Sequence, residues 1–329
     1  MLASLIKTAW QKARGAGREH DDWSSLPFYD SAALHGAITD KARLLLSQGY
    51  LDYPRLVHLE TLAVCNAACE FCPYPKLERQ GTRMSDALIE KIIGDLGAIP
   101  PHVPFVVAPY KVSDPFLEPR LFDIMALVVE RLPGAEIGLI TNGSALTDRK
   151  LDQLAQAKSV SFLTVSLNFD NADEYEGVMK LSFARTLSRL EALNRRKAQG
   201  ELGFPVRLTR VGADKASDHR FIHFARERFP ALQPVIVPRN DWLGEVVTEG
   251  TRDEVPDVPC HRWFDLSITA TGVVAMCCMD GEAKYPKGDV NAQHALEIYN
   301  HPRLRELRRS LISRRGAASP CSRCTYLSY

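Results

Sequence analysis

Eight cysteines carry most of the chemical information in this 329-residue chain, and they fall into two groups. The first is Cys65-Asn-Ala-Ala-Cys69-Glu-Phe-Cys72, three thiols within one short stretch. Thiolates are soft donors, and at this spacing they suit an iron–sulfur cluster or a zinc ion. A structural zinc site wants four protein ligands, whereas three ligands leave one metal corner open to something other than protein. The plain alternative is a buried thiol cluster. The second group is Cys260, Cys277, Cys321 and Cys324, with Cys278 left over beside Cys277. Four thiolates close a cluster completely and suit electron transfer or structure, and a zinc ribbon is the bland alternative. Neighbouring side chains on a strand point to opposite faces. Cys278 therefore reads as a packing residue, an alternative ligand, or a thiol that donates hydrogen to a carbon radical.

The elements that must position these groups follow from hydrophobic patterning. Strand-like runs are Leu56–Val64, Val103–Ala108, Glu136–Thr141, Val160–Leu167, Val206–Val211 and Val235–Pro238. Helix-like runs lie between them at Asp86–Leu96, Pro119–Leu132, Asp148–Ala157, Ala172–Gln199 and Ala216–Phe229. This alternation predicts an α/β fold with a parallel sheet and right-handed crossovers. Asn142-Gly143, Thr147-Asp148 and Ser217-Asp218 punctuate it where βα loops belong. Six units fall short of a closed eight-unit barrel, so the pattern fits an open partial barrel or a doubly wound sheet. The first cysteine loop follows the first strand, at the carboxyl end where α/β proteins place their chemistry. After Leu243-Gly244 a polar connection leads to a smaller unit: a hairpin of Phe264–Ile268 and Val273–Cys277, a helix over Ala295–Ser313, and the closing Cys321-Ser-Arg-Cys324. Residues 1–55 read as a helical extension, with a break at Gly15–Gly17, a turn near Ser24–Asp30 and helical spacing over Ala32–Leu51. The chain thus divides into an extension over 1–55, a barrel over 56–244 and an auxiliary unit over 245–329.

Bulk composition removes other classes. Basic and acidic residues number 41 and 40, so no net field draws the chain to nucleic acid or an anionic membrane. No apolar run approaches the ~20 residues needed to span a bilayer, and the N-terminus lacks a secretory core. Cysteines this sparse and grouped are not a secreted disulfide scaffold. The expected address is the cytoplasm.

The C-x-x-x-C-x-x-C spacing, with aromatic Phe71 before its last cysteine, resembles the signature of the radical S-adenosylmethionine (SAM) enzymes. The resemblance implies a partial (β/α)6 barrel of the TIM type. Cys65, Cys69 and Cys72 would hold a 4Fe–4S cluster whose fourth iron is chelated by SAM. Phe71 joins the implied cofactor-binding set. Where the family expects a Gly-Gly-Glu-Pro-like element, this chain has Lys111-Val-Ser113-Asp114-Pro115, so Asp114 and Ser113 stand where the SAM ammonium would be taken. The glycines are missing, and a simple turn before a helix is the alternative. Asn142 in Thr141-Asn142-Gly143, and Ser166 and Asn168 after the fourth strand, are the implied neighbours of the rest of SAM; helix capping is their plain alternative. Tyr110, Lys111, Arg239, Asn240, Asp241 and Trp242 are the candidates to face substrate. Gly272-Val-Val-Ala-Met-Cys277 and the sequence after it resemble the SPASM/twitch auxiliary domains, with Cys260, Cys277, Cys321 and Cys324 as ligands of a second 4Fe–4S cluster.

This single-auxiliary-cluster pattern resembles that of the radical SAM 2-deoxy-scyllo-inosamine dehydrogenases of aminocyclitol antibiotic synthesis. It implies oxidation of a secondary alcohol of a sugar or cyclitol to a ketone, with the auxiliary cluster accepting an electron. The implied partners are a small-molecule or peptide substrate and an external one-electron reductant such as flavodoxin or ferredoxin. Epimerisation of a sugar or peptide with Cys278 as hydrogen donor is the alternative, as is peptide maturation. A zinc-stabilised binding module is the non-enzyme alternative.

Overall fold

A computed structural model of the chain describes residues 31–246 and 254–327. The expected break at Gly15–Gly17 and turn near Ser24–Asp30 lie outside the described residues. Helix α1 (Ser31–Ser47) opens the described part. Its Leu34, Ile38, Ala42 and Leu45 recur every three or four residues and are buried. Leu34 and Ile38 pack against Val258 and Leu327, so this helix holds the C-terminal segment.

Strand and helix then alternate. The strands are β1 (Leu56–Leu59), β2 (Phe105–Ala108), β3 (Ala135–Thr141), β4 (Val160–Ser166), β5 (Val206–Val211) and β6 (Gln233–Val237). The helices between them are α2 (Asp86–Leu96), α3 (Leu121–Arg131), α4 (Asp148–Gln156), α5 (Ala172–Met179), α6 (Phe183–Ala198) and α7 (Lys215–Arg228). Side-chain caps start most of them. Ser85 accepts from the Leu88 N–H, Thr147 from Lys150, Asn171 from Glu174 and Asp214 from Ser217. For α7 the cap is thus Asp214 and not the expected Ser217-Asp218 pair.

All six strands pair in parallel, in the order β6-β5-β4-β3-β2-β1. The sheet is open, and its neighbour relations are those of a partial barrel, with every strand beside the one before it. Val57, Leu59, Val107, Leu139, Leu163, Val165 and Leu208 join one core with the helices. The alternate residues, among them His58, Ala108, Glu136, Ile140, Thr164 and Thr209, are absent from that core and line the other, concave face. That face is wet at β3, where Ile140 is 38% exposed.

Three boundaries differ from expectation. β1 ends at Leu59 because Glu60 and Thr61 leave the β1–β2 pairing; the stretch to Val64 continues as an irregular arm, with Ala63 and the Arg79–Thr82 turn bonding each other. The helical run Ala172–Gln199 is two helices, since Lys180 adopts a left-handed conformation (φ 58°) and Ser182 caps a fresh start. The helical run Ala295–Ser313 is likewise α8 (Ala295–Tyr299) and α9 (Pro302–Ser310), separated where Pro302 cannot continue the ladder.

The C-terminal unit is not set apart from the sheet. β7 (Asp265–Ile268) pairs in parallel with β1, pairing Leu56 with Asp265 and His58 with Ser267. β8 (Val273–Ala275) and the two-residue β9 (Gly288–Asp289) follow antiparallel, giving one nine-stranded sheet. The hairpin was legible in the sequence; its seat against β1 was not.

Candidate functional site

The first cysteine loop leaves the carboxyl end of β1 and is held from several sides. The Ala68 N–H donates to the Met179 carbonyl at the end of α5, at 3.2 Å, and the Asp114 N–H to Val64 at 3.0 Å. Cys65, Cys69 and Cys72 are half-buried and unbridged. Burial pushes the Cys65 thiol up to about 12 and Cys72 up to about 11. Cys69 is raised as well, by burial first and then by the Cys72 and Cys65 charges. Three thiols this close to one another ionise together only if a cationic centre joins them, which is the donor chemistry of a metal cluster.

The polar residues round the loop separate into two kinds. Asn142 reaches it directly: its amide donates to Asn66 Oδ1 at 2.8 Å and lies 3.9 Å from Cys65 Sγ. Its Oδ1 accepts from the Ser144 N–H and hydroxyl, and Asn66 closes the ring by donating to Ser144 Oγ. Asp114 supports this network from below. Its carboxylate accepts from Thr141 Oγ1, from the Asn142 N–H at 2.9 Å and from the Phe116 N–H at 3.0 Å. Both oxygens of this 3%-exposed residue accept from protein donors, so Asp114 positions the Asn142 turn. Burial raises its carboxyl above the usual range, a trend those hydrogen bonds oppose. Beside it, the Ser113 hydroxyl is buried without a partner.

Asn168 is 1% exposed, takes a left-handed conformation (φ 66°), accepts from the Val211 N–H at 2.9 Å and donates to Met179 Sδ at 3.2 Å. Its amide stitches β4 to β5, with one N–H and one oxygen lone pair engaged by the protein. Ser166 remains half-buried on the concave face, 3.4 Å from the Thr209 hydroxyl. Phe71 turns its carbonyl to the Trp242 indole N–H at 3.0 Å.

The second set of cysteines is brought together from far apart in the chain. Cys260, Cys277, Cys321 and Cys324 line one small cavity, together with Arg262, Trp263 and Arg314. Cys278 does not line it. The Trp263 indole N–H donates to Cys321 Sγ at 3.4 Å. Burial raises Cys277 well above its ordinary value, and the Cys278, Cys324, Cys260 and Cys321 charges add to this. Arg314 and Arg262 draw Cys260 the other way, against the larger effect of burial. Among the described residues no group of three or more His, Cys, Asp or Glu side chains is set to hold a single metal ion. Four thiols gathered from three parts of the chain are the donor set of an iron–sulfur cluster.

The expected substrate-facing residues sit between the two sets. Lys111 is buried and donates to the carbonyls of Asp280 and, at 2.9 Å, Gly281, so it ties the loop after Cys278 to the barrel. Tyr110 is 6% exposed and lies within electrostatic reach of Cys278. Trp242 packs with Cys277, Cys278, Met279, Cys324 and Tyr326 while its indole holds Phe71, so it touches both cysteine regions. Arg239 approaches the Gly212 carbonyl, Asn240 keeps a buried Oδ1 without a partner, and Asp241 accepts from the Leu243 N–H.

Sequence reasoning passed over Arg262, Trp263 and Arg314 round the second cavity, and Glu60 and Arg79 behind the first loop. Glu60 interrupts the apolar run Leu56–Val64 and is wholly buried. A charge at such a place was the available signal.

The radical SAM superfamily model matches residues 59–226, just over half of the chain. The chain belongs to the radical SAM superfamily. A SPASM model, described as an iron–sulfur cluster-binding domain, matches residues 260–325. A tungsten-containing aldehyde ferredoxin oxidoreductase cofactor-modifying protein of Pyrococcus furiosus is 30% identical over 102 residues, 31% of this chain and 28% of that protein. The radical SAM chain thus spans under a third of that relative's length. The crystal structure of BtrN in complex with AdoMet and 2-DOIA matches with a TM-score of 0.55 at 18% identity, covering 83% of this chain and 94% of that one. Streptococcus suis SuiB bound to its precursor peptide SuiA matches with a TM-score of 0.62 at 13% identity, covering 98% and 81%. At these identities the likeness is one of fold. A radical SAM domain takes a 4Fe–4S cluster and SAM, and a SPASM domain takes further iron–sulfur chemistry; the two thiol sets fit both. No helix among the described residues is long and apolar enough to cross a membrane.

Proposed function

We propose that this radical SAM enzyme oxidises a secondary alcohol of a sugar or cyclitol to a ketone. The observation that carries the proposal is the second thiol set: four cysteines round one cavity, a closed ligand set with no corner left for substrate. Cys65, Cys69 and Cys72 hold the SAM-binding cluster, and Cys260, Cys277, Cys321 and Cys324 hold the auxiliary one. When bound, these groups supply a 5′-deoxyadenosyl radical to take hydrogen from the carbinol carbon and an acceptor for the remaining electron.

The protein's own part is positional. Asn142, held by Asp114, orients the loop beside Cys65. Ser166 and Thr209 offer hydroxyls on the concave face, where they bind hydroxyl-bearing ligands without adding charge. Trp242 walls the space between the cysteine regions. The partners of the reaction are the small-molecule substrate and an external one-electron reductant of the flavodoxin or ferredoxin kind. The expected compartment is the cytoplasm. BtrN, which was solved with AdoMet and 2-DOIA, supports a cyclitol as the first candidate.

The test is an anaerobic assay of reconstituted protein with cyclitols, sugars and short peptides, reading 5′-deoxyadenosine above the substrate-free level. Stoichiometric ketone from a cyclitol or sugar is expected. Turnover with peptides alone sinks the proposal.

One observation favours a second reading. Cys278 lies outside the four-thiol cavity and within electrostatic reach of Tyr110 and Lys111 on the barrel side. A free thiol there suits hydrogen donation in an epimerase. Solvent deuterium entering the product in wild type but not in Cys278→Ala would decide for epimerisation.

A further inference from the structure

Because β7 continues the sheet beyond β1, it also extends the concave face. His58 on β1 is paired with Ser267 on β7, and paired residues in a parallel ladder project to the same side. That side is the concave one: Val57, Leu59, Leu266 and Ile268 pack into the helix-covered core, and His58 and Ser267 do not. Tyr110, two residues beyond β2, sets its ring edge-on to His58, with centroids 6.1 Å apart and planes at 76°.

Two of these side chains, His58 and Ser267, keep hydrogen-bonding capacity that the protein leaves unmet. His58 is 7% exposed, and neither ring nitrogen closes a hydrogen bond although the Tyr110 backbone is near. Ser267 is fully buried, and its hydroxyl has no partner. Buried polar atoms are seldom left so, unless water or a ligand meets them. The charges nearby are already matched. Asp265 pairs with Arg55 at 2.9 Å and with Arg262 at 3.2 Å, and Lys111 is held by the Asp280 and Gly281 carbonyls. Burial holds His58 down to about 4, so near neutral pH its ring is uncharged, with one donor and one acceptor.

We propose that His58, Ser267 and Tyr110 form a polar subsite on the concave face that grips adjacent hydroxyl groups of a neutral polyol substrate. This deepens the sugar-or-cyclitol reading and rests on it. An alcohol hydroxyl is itself one donor and one acceptor, the complement of a neutral imidazole, a serine and a phenol. A carboxylate or ammonium would meet no unpaired opposite charge among these three. Lys111, next to Tyr110, is bonded to the Asp280 and Gly281 carbonyls, which puts the subsite beneath the auxiliary loop, where the two parts of the chain meet.

The test is anaerobic equilibrium dialysis of the reconstituted holoenzyme with SAM, using radiolabelled myo-inositol and scyllo-inositol, both neutral, as probes. Tyr110→Phe keeps the ring on His58 and removes only the hydroxyl; Ser267→Ala removes one buried oxygen; His58→Phe removes both nitrogens. Iron content and unfolding temperature report whether each variant is folded. At least a tenfold loss of probe affinity in His58→Phe, and several-fold losses in the two milder variants, are expected. Partial recovery in His58→Gln would mark hydrogen bonding instead of packing. Unchanged affinity in Tyr110→Phe and Ser267→Ala overturns the subsite but leaves the polyol reading standing. A wild-type protein that binds neither probe nor any of a panel of neutral sugars overturns that reading and the subsite with it. If His58→Phe fails to fold, the two milder variants decide.

Discussion

Replacing Arg79 by methionine tests how the barrel and the auxiliary unit are joined. Glu60 lies just past β1 with a side chain of zero exposure, and Arg79 beside it is 6% exposed. The carboxylate accepts Arg79 Nε at 2.7 Å and Nη2 at 2.9 Å, the Val112 N–H at 3.1 Å and the Ala270 N–H at 3.0 Å. Arg79 Nη1 then donates to the Gly281 carbonyl at 2.7 Å. Val112 belongs to the loop after β2, Ala270 to the β7–β8 turn and Gly281 to the loop after Cys278, so one ion pair gathers three segments. Arg79→Met leaves Glu60 a buried charge with two backbone donors and no hydrogen-bonded counter-ion, only the field of Lys111. Breaking one partner of such a pair costs about 3–5 kcal/mol, roughly two to four powers of ten in the unfolding constant. The double variant Glu60→Leu/Arg79→Met should recover part of this, since the buried carboxylate is gone as well. It should not recover all of it, because Val112 and Ala270 lose an acceptor at ~1–3 kcal/mol each. Equilibrium urea unfolding under anaerobic conditions, followed by fluorescence and circular dichroism together, measures both. A loss below about 1 kcal/mol for Arg79→Met refutes the reasoning, since that is the range of a solvated surface pair.

Burial alone would raise the Glu60 carboxyl, but Arg79 outweighs it and holds the group below its ordinary value. A depressed acid stabilises the fold above its unfolded pKa of about 4.3 and loses that contribution as pH falls through the folded value; wild-type stability should drop on acidification below that point, and Arg79→Met should flatten the drop. Cys65→Ala should abolish reductive SAM cleavage while an electron paramagnetic resonance signal from the auxiliary cluster persists. Loss of both signals would mean that the two thiol sets are not independent. Reconstituted wild type should bind about eight irons per chain, two 4Fe–4S clusters; Cys321→Ala should fall towards four, and an unchanged count would remove Cys321 from the ligand set. Gly143→Ala should destabilise the Asn142 turn by about 1–3 kcal/mol, because φ is +83° and the new Cβ would meet Val165 Cγ1 at 2.8 Å. Thermal unfolding checks it, and an unchanged midpoint would show that the turn relaxes freely.

What the sequence made legible, and what it hid, divides along the range of the interactions. The strand and helix order was readable because alternation and caps are local: Thr147 starts α4 three residues before the N–H it binds. The thiol sets were readable because cysteine is rare and its spacing is specific. The partners of Asp114 were hidden because its donors, Thr141 and Asn142, arrive from the next strand, beyond any local pattern. The protein partners of Asn168 were hidden for the same reason: Val211 and Met179 belong to β5 and α5. The break at Lys180 was missed because a left-handed lysine leaves no mark in hydrophobic periodicity.

The pairing of β7 with β1 is the long-range feature with the widest reach, and it changes how the two thiol sets relate. A hairpin tethered only by a polar linker could swing, and the distance between the clusters would then be a variable. Here the ladder from Leu56–Asp265 to Leu59–Ile268 carries the barrel's own hydrogen bonding into the auxiliary unit. Glu60 continues it, its N–H donating to the Ile268 carbonyl at 3.0 Å while its carboxylate holds Ala270. Lys111 and Arg79 fasten the Gly281 loop from the opposite side, and Trp242 spans from Phe71 to the packing round Cys324. With ties on several sides, the interval between Cys72 and Cys277 is set by the sheet and not by a linker. In the proposed reaction, electron transfer and substrate gripping both need a fixed interval, so weakening the Glu60–Arg79 tie should impair turnover even at temperatures where the fold survives.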